Sequence, residues 1–584
     1  MSRLTESAIR RFERIDNTRL GSDAVAGLLG VVFFSFTVGL EKLKPRNVGW
    51  LIHGDQQTML LGWWFYASDR WRWPLGANPM LGWEGTNSIV YTDSWPGLAL
   101  IFKILNIGAV IHGQYFGLGL LLGSVALFVG ARRLFGSLEV GFLPSLAATG
   151  LLGTTSVFWY MQRWGPAISA GLPIVVWALY FYIDDPKHPA SLWRRWSLLL
   201  VAAVATNAYL TFAATPILGA LLVRRFVHDR RSWFGSLVGL MTVGAITVGS
   251  MYALGYSTLS SKWAQTGGYG WYSANVLGLF DSKGASRLLP DLPSIAGQHE
   301  PTALGIGTLL LAAALLANRL RSRVPFGIRK SLKEHAPLAV VLIGLAILAV
   351  TNIVSIGSWS FRVPLPARIE HGLSIFRSSA RLLWPMVIVV TVSVTTIALR
   401  RIRRGAIIVS LALAVQLVDS TPQIQSVASA RDGDAVQIPF DSEFWTSVSA
   451  RFATIASVPA ANYGFDWSSC ALAAARTNRA AECGYFGRVQ GLDSVNRERI
   501  TQVVRGAFEG DVIYMVSRSW LRDNGRDLLN TLSRGPVNVA VAKDVFGFGT
   551  DTYLLFPNCP SPEACDFLGD HYHAFDSSLL ESNL

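Results

Sequence analysis

Residues 53–103 read HGDQQTMLLGWWFYASDRWRWPLGANPMLGWEGTNSIVYTDSWPGLALIFK. The stretch follows a hydrophobic segment, is too polar and too rich in Gly and Pro to cross a bilayer, and is crowded with tryptophan. Asp55 and Asp93 stand out in it. An acid just beyond a membrane span, followed by tryptophan-rich turns suited to the headgroup layer, points to chemistry at the membrane surface.

Composition agrees with that setting. Hydrophobic residues make up 51% of the chain and charged residues 15%, with a mean hydropathy of +0.36. Soluble domains carry about a quarter charged residues, so the composition is that of a membrane protein. The formal charge of +13 sits beside apolar segments, as in cytoplasmic loops, which excludes nucleic acid as the partner. The basic N-terminus runs into a spanning segment without a small-residue cleavage site, so no cleavable signal peptide is expected.

Hydrophobic runs predict a polytopic α-helical membrane protein of about eleven membrane helices, followed by a soluble α/β domain. Residues 1–22, with Arg3, Arg10, Arg11, Arg14 and Arg19, form a cytoplasmic basic leader. Residues 23–420 form the membrane region with an outer loop at 41–114, and 421–584 the extracytoplasmic domain. Spans are expected at Asp23–Leu40, Tyr115–Gly130, Val140–Trp159, Ala167–Ile183, Phe234–Leu254, Thr302–Ala317, Pro337–Val354, Leu383–Leu399 and Ala406–Val418. Ser197–Val223 lies between two basic clusters, at Arg194–Arg195 and Arg224–Arg225. A hairpin of two short helices, broken near Asn207 to Pro216, keeps both clusters on one side. The loops Gly255–Pro301 and Ser355–Arg381 then fall outside. Within the first outer loop, Gln56–Ser68 and Pro96–Leu105 read as interfacial helices. In the tail, Val512–Val516 and Val537–Val541 read as strands and Phe444–Ile455 as helix.

The residues that could carry chemistry lie in the outer loops. Asp55 and Asp93 each suit the N-cap of a following helix. Each also suits a general base, and Asp55 a metal ligand. His53 could support the base or simply bond to the backbone. His299 and Glu300, in QHEP, start a helix or bind an acceptor. Arg377 and Arg381, in FRSSARLLWP, stand where positive-inside bias disfavours arginine, which points to an anion such as a lipid phosphate. Lys103 and Arg163 are similar candidates, with snorkelling as the alternative for all four cations. GxxxxGK[ST], HExxH and GxSxG patterns are missing.

All four cysteines, Cys470, Cys483, Cys559 and Cys565, lie in the tail. An even set in a polar tail points to an oxidising compartment. Three connectivities are open. Short separations favour Cys470–Cys483 and Cys559–Cys565.

The pieces GDQQTMLLGWWFY, NPMLGWEGTNSIVYTDSWPGLALIFK, GQHEPTALGIG and FRSSARLLWP together resemble the GT-C class of membrane glycosyltransferases. They are most similar to an uncharacterised bacterial group within it. The resemblance implies a polyprenyl-phosphate-linked sugar donor, a cell-envelope glycan or lipid acceptor, and a first-loop acid at Asp55, with Asp93 a second acid. Because Asp93 lies far downstream, dependence on a divalent cation stays open. The expected setting is the plasma (inner) membrane. Two rival classes stand beside this one: a transporter or flippase of lipid-linked saccharides, and a non-catalytic envelope assembly protein.

Overall fold

A bilayer-crossing helix needs about twenty apolar residues, and that length sorts the helices of this chain. The computed structural model describes residues 19–52, 54–82, 87–158, 166–186, 188–228, 233–258, 269–322, 333–429, 451–459, 466–484, 492–517, 539–542, 552–557 and 573–574. Among them, Leu20–Thr37, Phe116–Ser137, Ala208–His228, Phe234–Ala253 and Ser379–Arg401 are long and apolar enough to span. Pro96–Leu105, Phe142–Gly153, Pro173–Ile183, Ala336–Val350 and Gly405–Asp419 are shorter apolar helices. The chain is mostly helical, a membrane protein with a smaller sheet region.

Several segments differ from the sequence expectation for local reasons. Within Val140–Trp159 the helix Phe142–Gly153 ends after 12 residues, and the chain turns before residues 156–158 resume as helix. Ala167–Ile183 is divided into Pro166–Gly171 and Pro173–Ile183, because Pro173 lacks the N–H that would continue the first helix. Pro337–Val354 ends as helix at Val350, and Ile353 already belongs to a strand. Ser197–Val223 is two helices, Pro189–Val204 and Ala208–His228. The break falls at Asn207, whose Oδ1 accepts from the Tyr209 N–H at 3.0 Å and so caps the second helix. Pro216 lies inside that helix and does not break it.

The chain divides into two compact units. The first comprises Met1–Trp50, Tyr115–Met251 and Gly268–Gly433. Its helices bury a common apolar core that includes Phe128, Phe135, Val176, Trp196, Leu221, Trp384 and Ile388. Gly30 allows Leu20–Thr37 to lie directly on Phe116–Ser137, since a Cβ there would come within 2.8 Å of the Val125 backbone. Small residues permit this backbone approach in membrane helices, where lipid offers no competing hydrophobic force. Ion pairs gather at one end of the bundle. Arg133 meets Asp23 at 2.6 Å, Arg195 meets Asp184 at 3.1 Å, and Arg224 and Arg225 both face Asp185. Arg195 and Arg225 thus share an end, which is the arrangement the helical hairpin was expected to produce.

The second unit comprises Leu51–Gln114, Tyr252–Gly267 and Asp434–Leu584. It joins the loop after the first span to the tail, a grouping that chain order alone did not indicate. The helix Gly54–Ser68 is its axis. Met59, Leu60, Leu61, Trp63, Phe65 and Tyr66 on it are all buried, so it is a core helix and not the interfacial one expected. A helix apolar on every face has no polar face to lay toward water. Trp63 and Trp64 donate their indole N–H groups to the carbonyls of Val110 and Gly113, each at 2.9 Å.

Strands β1 (Ile353–Ile356) and β2 (Trp359–Arg362) form a separate hairpin in the first unit. The strands of the tail are β3 (Thr454–Val458), β4 (Ala480–Glu482), β5 (Val512–Ser517), β6 (Val539–Ala542), β7 (Thr552–Pro557) and β8 (His573–Ala574), and they form a six-stranded sheet in the order β4-β3-β5-β7-β6-β8. β3 runs parallel to β4 and β5, and the other pairs are antiparallel. Helices Asp466–Arg476 and Leu492–Val504 make the two parallel crossovers, as parallel pairing requires. The helix expected at Phe444–Ile455 is strand at Thr454 and Ile455; residues 444–450 lie outside the described ones.

The free edge of β4 is taken by the first loop. The Gly82 N–H donates to the Ala481 carbonyl and the Ala481 N–H to the Met80 carbonyl, both at 2.8 Å. The Arg476 guanidinium stacks over Trp64 at 5.0 Å. Cys470 and Cys483 are joined by a disulfide, the pairing expected from their separation. It ties the helix bearing Arg476 to the strand bearing Ala481.

Candidate functional site

In the first unit, four of the residues singled out by sequence come together around two tyrosines. Trp384 opens the last long span with Pro385 at its first turn, a position where proline loses nothing. Just before it, Arg381 directs both Nε and Nη2 at Oε1 of Glu300, each 2.8 Å away. The Glu300 side chain is 2% exposed. Its second oxygen, Oε2, is buried without a hydrogen-bond partner. Arg381 also lies over the rings of Tyr209 at 5.3 Å and Trp384 at 5.9 Å. Arg377 stacks on Tyr272 at 5.1 Å and donates to its hydroxyl at 3.3 Å. The exposed His299 sets its ring edge-on to Tyr272 at 5.1 Å.

Backbone contacts fix this cluster in place. The Ser378 N–H donates to the Tyr209 hydroxyl at 2.8 Å, and the Ala380 N–H to the Tyr272 carbonyl at 3.1 Å. The Trp384 indole donates to the Pro301 carbonyl at 3.0 Å. One residue before His299, the Gln298 amide donates to Ser273 and Ser355 and accepts from Asn275 at 3.0 Å. Asn275 in turn bonds to both the N–H and the carbonyl of Gly357. This buried network holds the loop that delivers Glu300.

Chemically, the cluster offers two guanidinium forks against one carboxylate, with tyrosine and tryptophan planes alongside. Guanidinium forks match phosphate and carboxylate geometry, and they stack on aromatic faces. Tyr209, Tyr272 and Gln298 were not picked out from the sequence. Nothing in their local pattern marks them, since Tyr209 lies 172 residues before Arg381 in the chain.

Asp55, Asp93 and Lys103 lie in the second unit. Asp55 sits in the first turn of Gly54–Ser68 and is exposed; the helix starts earlier than expected, so Asp55 is not its cap. A carboxylate there still faces the positive end of the helix dipole. Asp93 is exposed and adopts a left-handed conformation, φ 53°, as the C-cap of the short helix Ile89–Thr92. It does not cap Pro96–Leu105, whose N-cap is Trp95 without a side-chain bond.

Lys103 is buried. Its ammonium donates to the Tyr66 carbonyl at 2.7 Å and sits over the rings of Tyr66 and Trp71 at 4.2 and 4.9 Å. Burial pushes its pKa down to about 8; Asp69 opposes the shift and Arg72 adds to it. Asp69, which the sequence reading passed over, holds Arg72 through both carboxylate oxygens. Lys103 is thus held in an aromatic cage and does not snorkel. His53, Arg163, Cys559 and Cys565 lie outside the described residues. Among the described residues, no group of three or more His, Cys, Asp or Glu side chains is placed to hold a metal ion.

No curated protein matches this chain. A family described as Domain of unknown function (DUF6311) matches residues 27–421. The match runs from the first span to the end of the Gly405–Asp419 helix, more than half of the chain. The chain belongs to the DUF6311 family.

Proposed function

We propose that this protein is a GT-C-like membrane glycosyltransferase that moves a sugar from a polyprenyl-phosphate donor to a cell-envelope glycan or lipid acceptor on the outer face. The observation that carries the reading is the Arg377–Arg381–Glu300 cluster, two stacked guanidiniums at the head of a membrane helix. Such a pair suits the phosphate of a lipid whose chain lies in the bilayer. In this reading Phe142–Gly153, Pro173–Ile183, Pro189–Val204, Ile306–Ser322, Ala336–Val350 and Gly405–Asp419 also lie in the membrane beside the five long spans, giving the GT-C-like set of about eleven. The N-terminus is cytoplasmic and the sheet domain extracytoplasmic.

The chemistry follows from the donor. An acceptor hydroxyl attacks the anomeric carbon while its proton passes to a carboxylate. The bond between that carbon and the phosphate oxygen breaks, and polyprenyl phosphate leaves with the electron pair. Arginine forks stabilise the departing phosphate. Asp55, the first-loop acid that the resemblance singles out, is the base.

The test is turnover by purified protein in sealed liposomes across a panel of polyprenyl-phosphate sugars, with and without chelator to read any need for a divalent cation. Transfer that is lost in Arg377→Ala at an unchanged unfolding midpoint supports the reading. Donor that crosses the bilayer unhydrolysed and untransferred supports a flippase instead. That second reading draws on the buried hydroxyls of Thr308, Thr391 and Thr395, which lack hydrogen-bond partners within the membrane helices. Binding of an envelope glycan without turnover of any donor would leave the assembly role.

A further inference from the structure

The loop between Ala336–Val350 and the last long span contains a feature that the proposed reaction does not use. Strands β1 (Ile353–Ile356) and β2 (Trp359–Arg362) pair as an antiparallel hairpin, with Ile356 opposite Trp359 and Val354 opposite Phe361. Alternation along a strand divides the hairpin into two faces. One carries Ile353, Ser355, Ser360 and Arg362. On this face Ser355 is buried and accepts from Gln298 at 2.6 Å, which anchors β1 on the protein, while Ser360 and Arg362 on β2 are exposed. The other carries Val354, Ile356, Trp359 and Phe361. Trp359 is 60% exposed, and Ile356 and Phe361 are each 43% exposed. The Trp359 and Phe361 rings lie 5.2 Å apart.

We infer that this second face is seated in the membrane interface, against lipid. Three observations carry the inference. First, the preceding helix exposes Val340, Ile343 and Ile347, spaced along one side as a lipid-facing stripe. The hairpin continues that exposed apolar surface. Second, the short connection keeps the hairpin close to the end of that helix. Val354 lies four residues past the end of the helix at Val350, a reach of at most about 14 Å. Phe361 stands opposite Val354, so the aromatic pair is held at the same depth although it comes later in the sequence.

Third, the chemistry matches the interfacial layer, where tryptophan concentrates because its ring is apolar and its N–H is wet. The short helix Ala367–Leu373 that follows has no buried residue, and it exposes Ile369 beside Arg368. An apolar residue next to a cation suits acyl chains below anionic headgroups. The same hairpin supplies Ser355 and Gly357 to the Gln298 and Asn275 network, so its contact with lipid fixes the depth of the loop that carries Glu300.

The experiment places p-benzoylphenylalanine at position 361 of the full chain, in nanodiscs of phosphatidylethanolamine and phosphatidylglycerol, and reads photo-adducts by mass spectrometry. Position 343, on the exposed stripe of the preceding helix, serves as the control. Adducts one phospholipid in mass at both positions are the expected result. Lipid adducts at 343 with none at 361, or adducts at 361 to a second copy of the chain, overturn the inference. As a measurement independent of crosslinking, acyl-brominated lipids should quench wild-type emission more than that of Trp359→Phe. Equal quenching also overturns it. Neither readout depends on glycosyl transfer, so the inference stands or falls separately from the proposed activity.

Discussion

Arg381 points two of its nitrogens at a single oxygen of Glu300, Oε1, and leaves the other carboxylate oxygen buried without a hydrogen bond. Removing one partner of a buried ion pair costs about 3–5 kcal/mol, because the other charge is left uncompensated. Arg381→Ala and Glu300→Ala should each destabilise by that order, and the double variant by clearly less than their sum. Thermal unfolding of the four proteins in one detergent closes the cycle. Additive losses would show that the two side chains do not act as a pair.

The proposed base is tested by Asp55→Asn. Because Asp55 lies inside the first helical turn, the change removes a favourable charge–dipole contact of about 0.3–1 kcal/mol, too little to unfold the unit. Transfer should nevertheless fall by about a hundredfold to ten-thousandfold. Asp93→Asn is the comparison. Asparagine adopts the left-handed conformation about as readily as aspartate, so fold and turnover should both be nearly retained. Turnover of Asp55→Asn near that of the wild type would remove Asp55 from the chemistry.

Lys103 makes a prediction about pH. Its pKa is lowered to about 8 by burial, against about 10.4 in an unfolded chain. Between those values the unfolded state binds more protons, so stability rises with pH from about 8 to about 10.4. Below pH 8 both states are protonated and the effect is constant. Lys103→Met should remove this part of the pH dependence. The check is the difference in unfolding midpoint between wild type and variant at pH 7.5 and pH 10. A difference that does not change with pH would contradict the caged ammonium.

The disulfide makes a local prediction as well as a global one. Cys470 and Cys483 are 13 residues apart, and a loop of that size corresponds to roughly 3 kcal/mol. The Cys470→Ala/Cys483→Ala variant should therefore unfold at lower temperature. Hydrogen exchange should also rise at Gly82 and Ala481, whose backbone bonds join the first loop to β4. Arg476→Ala should raise exchange in the same loop without touching the disulfide. Unchanged protection at Gly82 in both variants would refute the brace.

The sequence by itself determined the class of this protein and much of its local structure. Apolar run length marked the spans at Leu20–Thr37 and Phe234–Ala253, and a short apolar run marked β5 at Val512–Ser517. Pro96 announced the start of its helix at the residue where it begins. These are properties of neighbours along the chain. Capping was read less well, because the start of a helix depends on one turn of backbone geometry: Asp55 fell inside its helix, and Asp93 closed a different one.

Only the tertiary structure decided which distant residues meet. His299, Glu300, Arg377 and Arg381 were each legible as polar residues in outer loops. Their assembly depends on Tyr272 and on Tyr209, whose hydroxyl holds the Ser378 N–H across 169 positions. The same holds for the first loop and the tail, which form one unit because Met80 and Gly82 complete the open edge of β4. Edge N–H and carbonyl groups demand partners, but the demand carries no record in the sequence of which segment will answer it. Hydrophobic periodicity fixes what each segment is, and packing and hydrogen-bond satisfaction in three dimensions fix what it is next to.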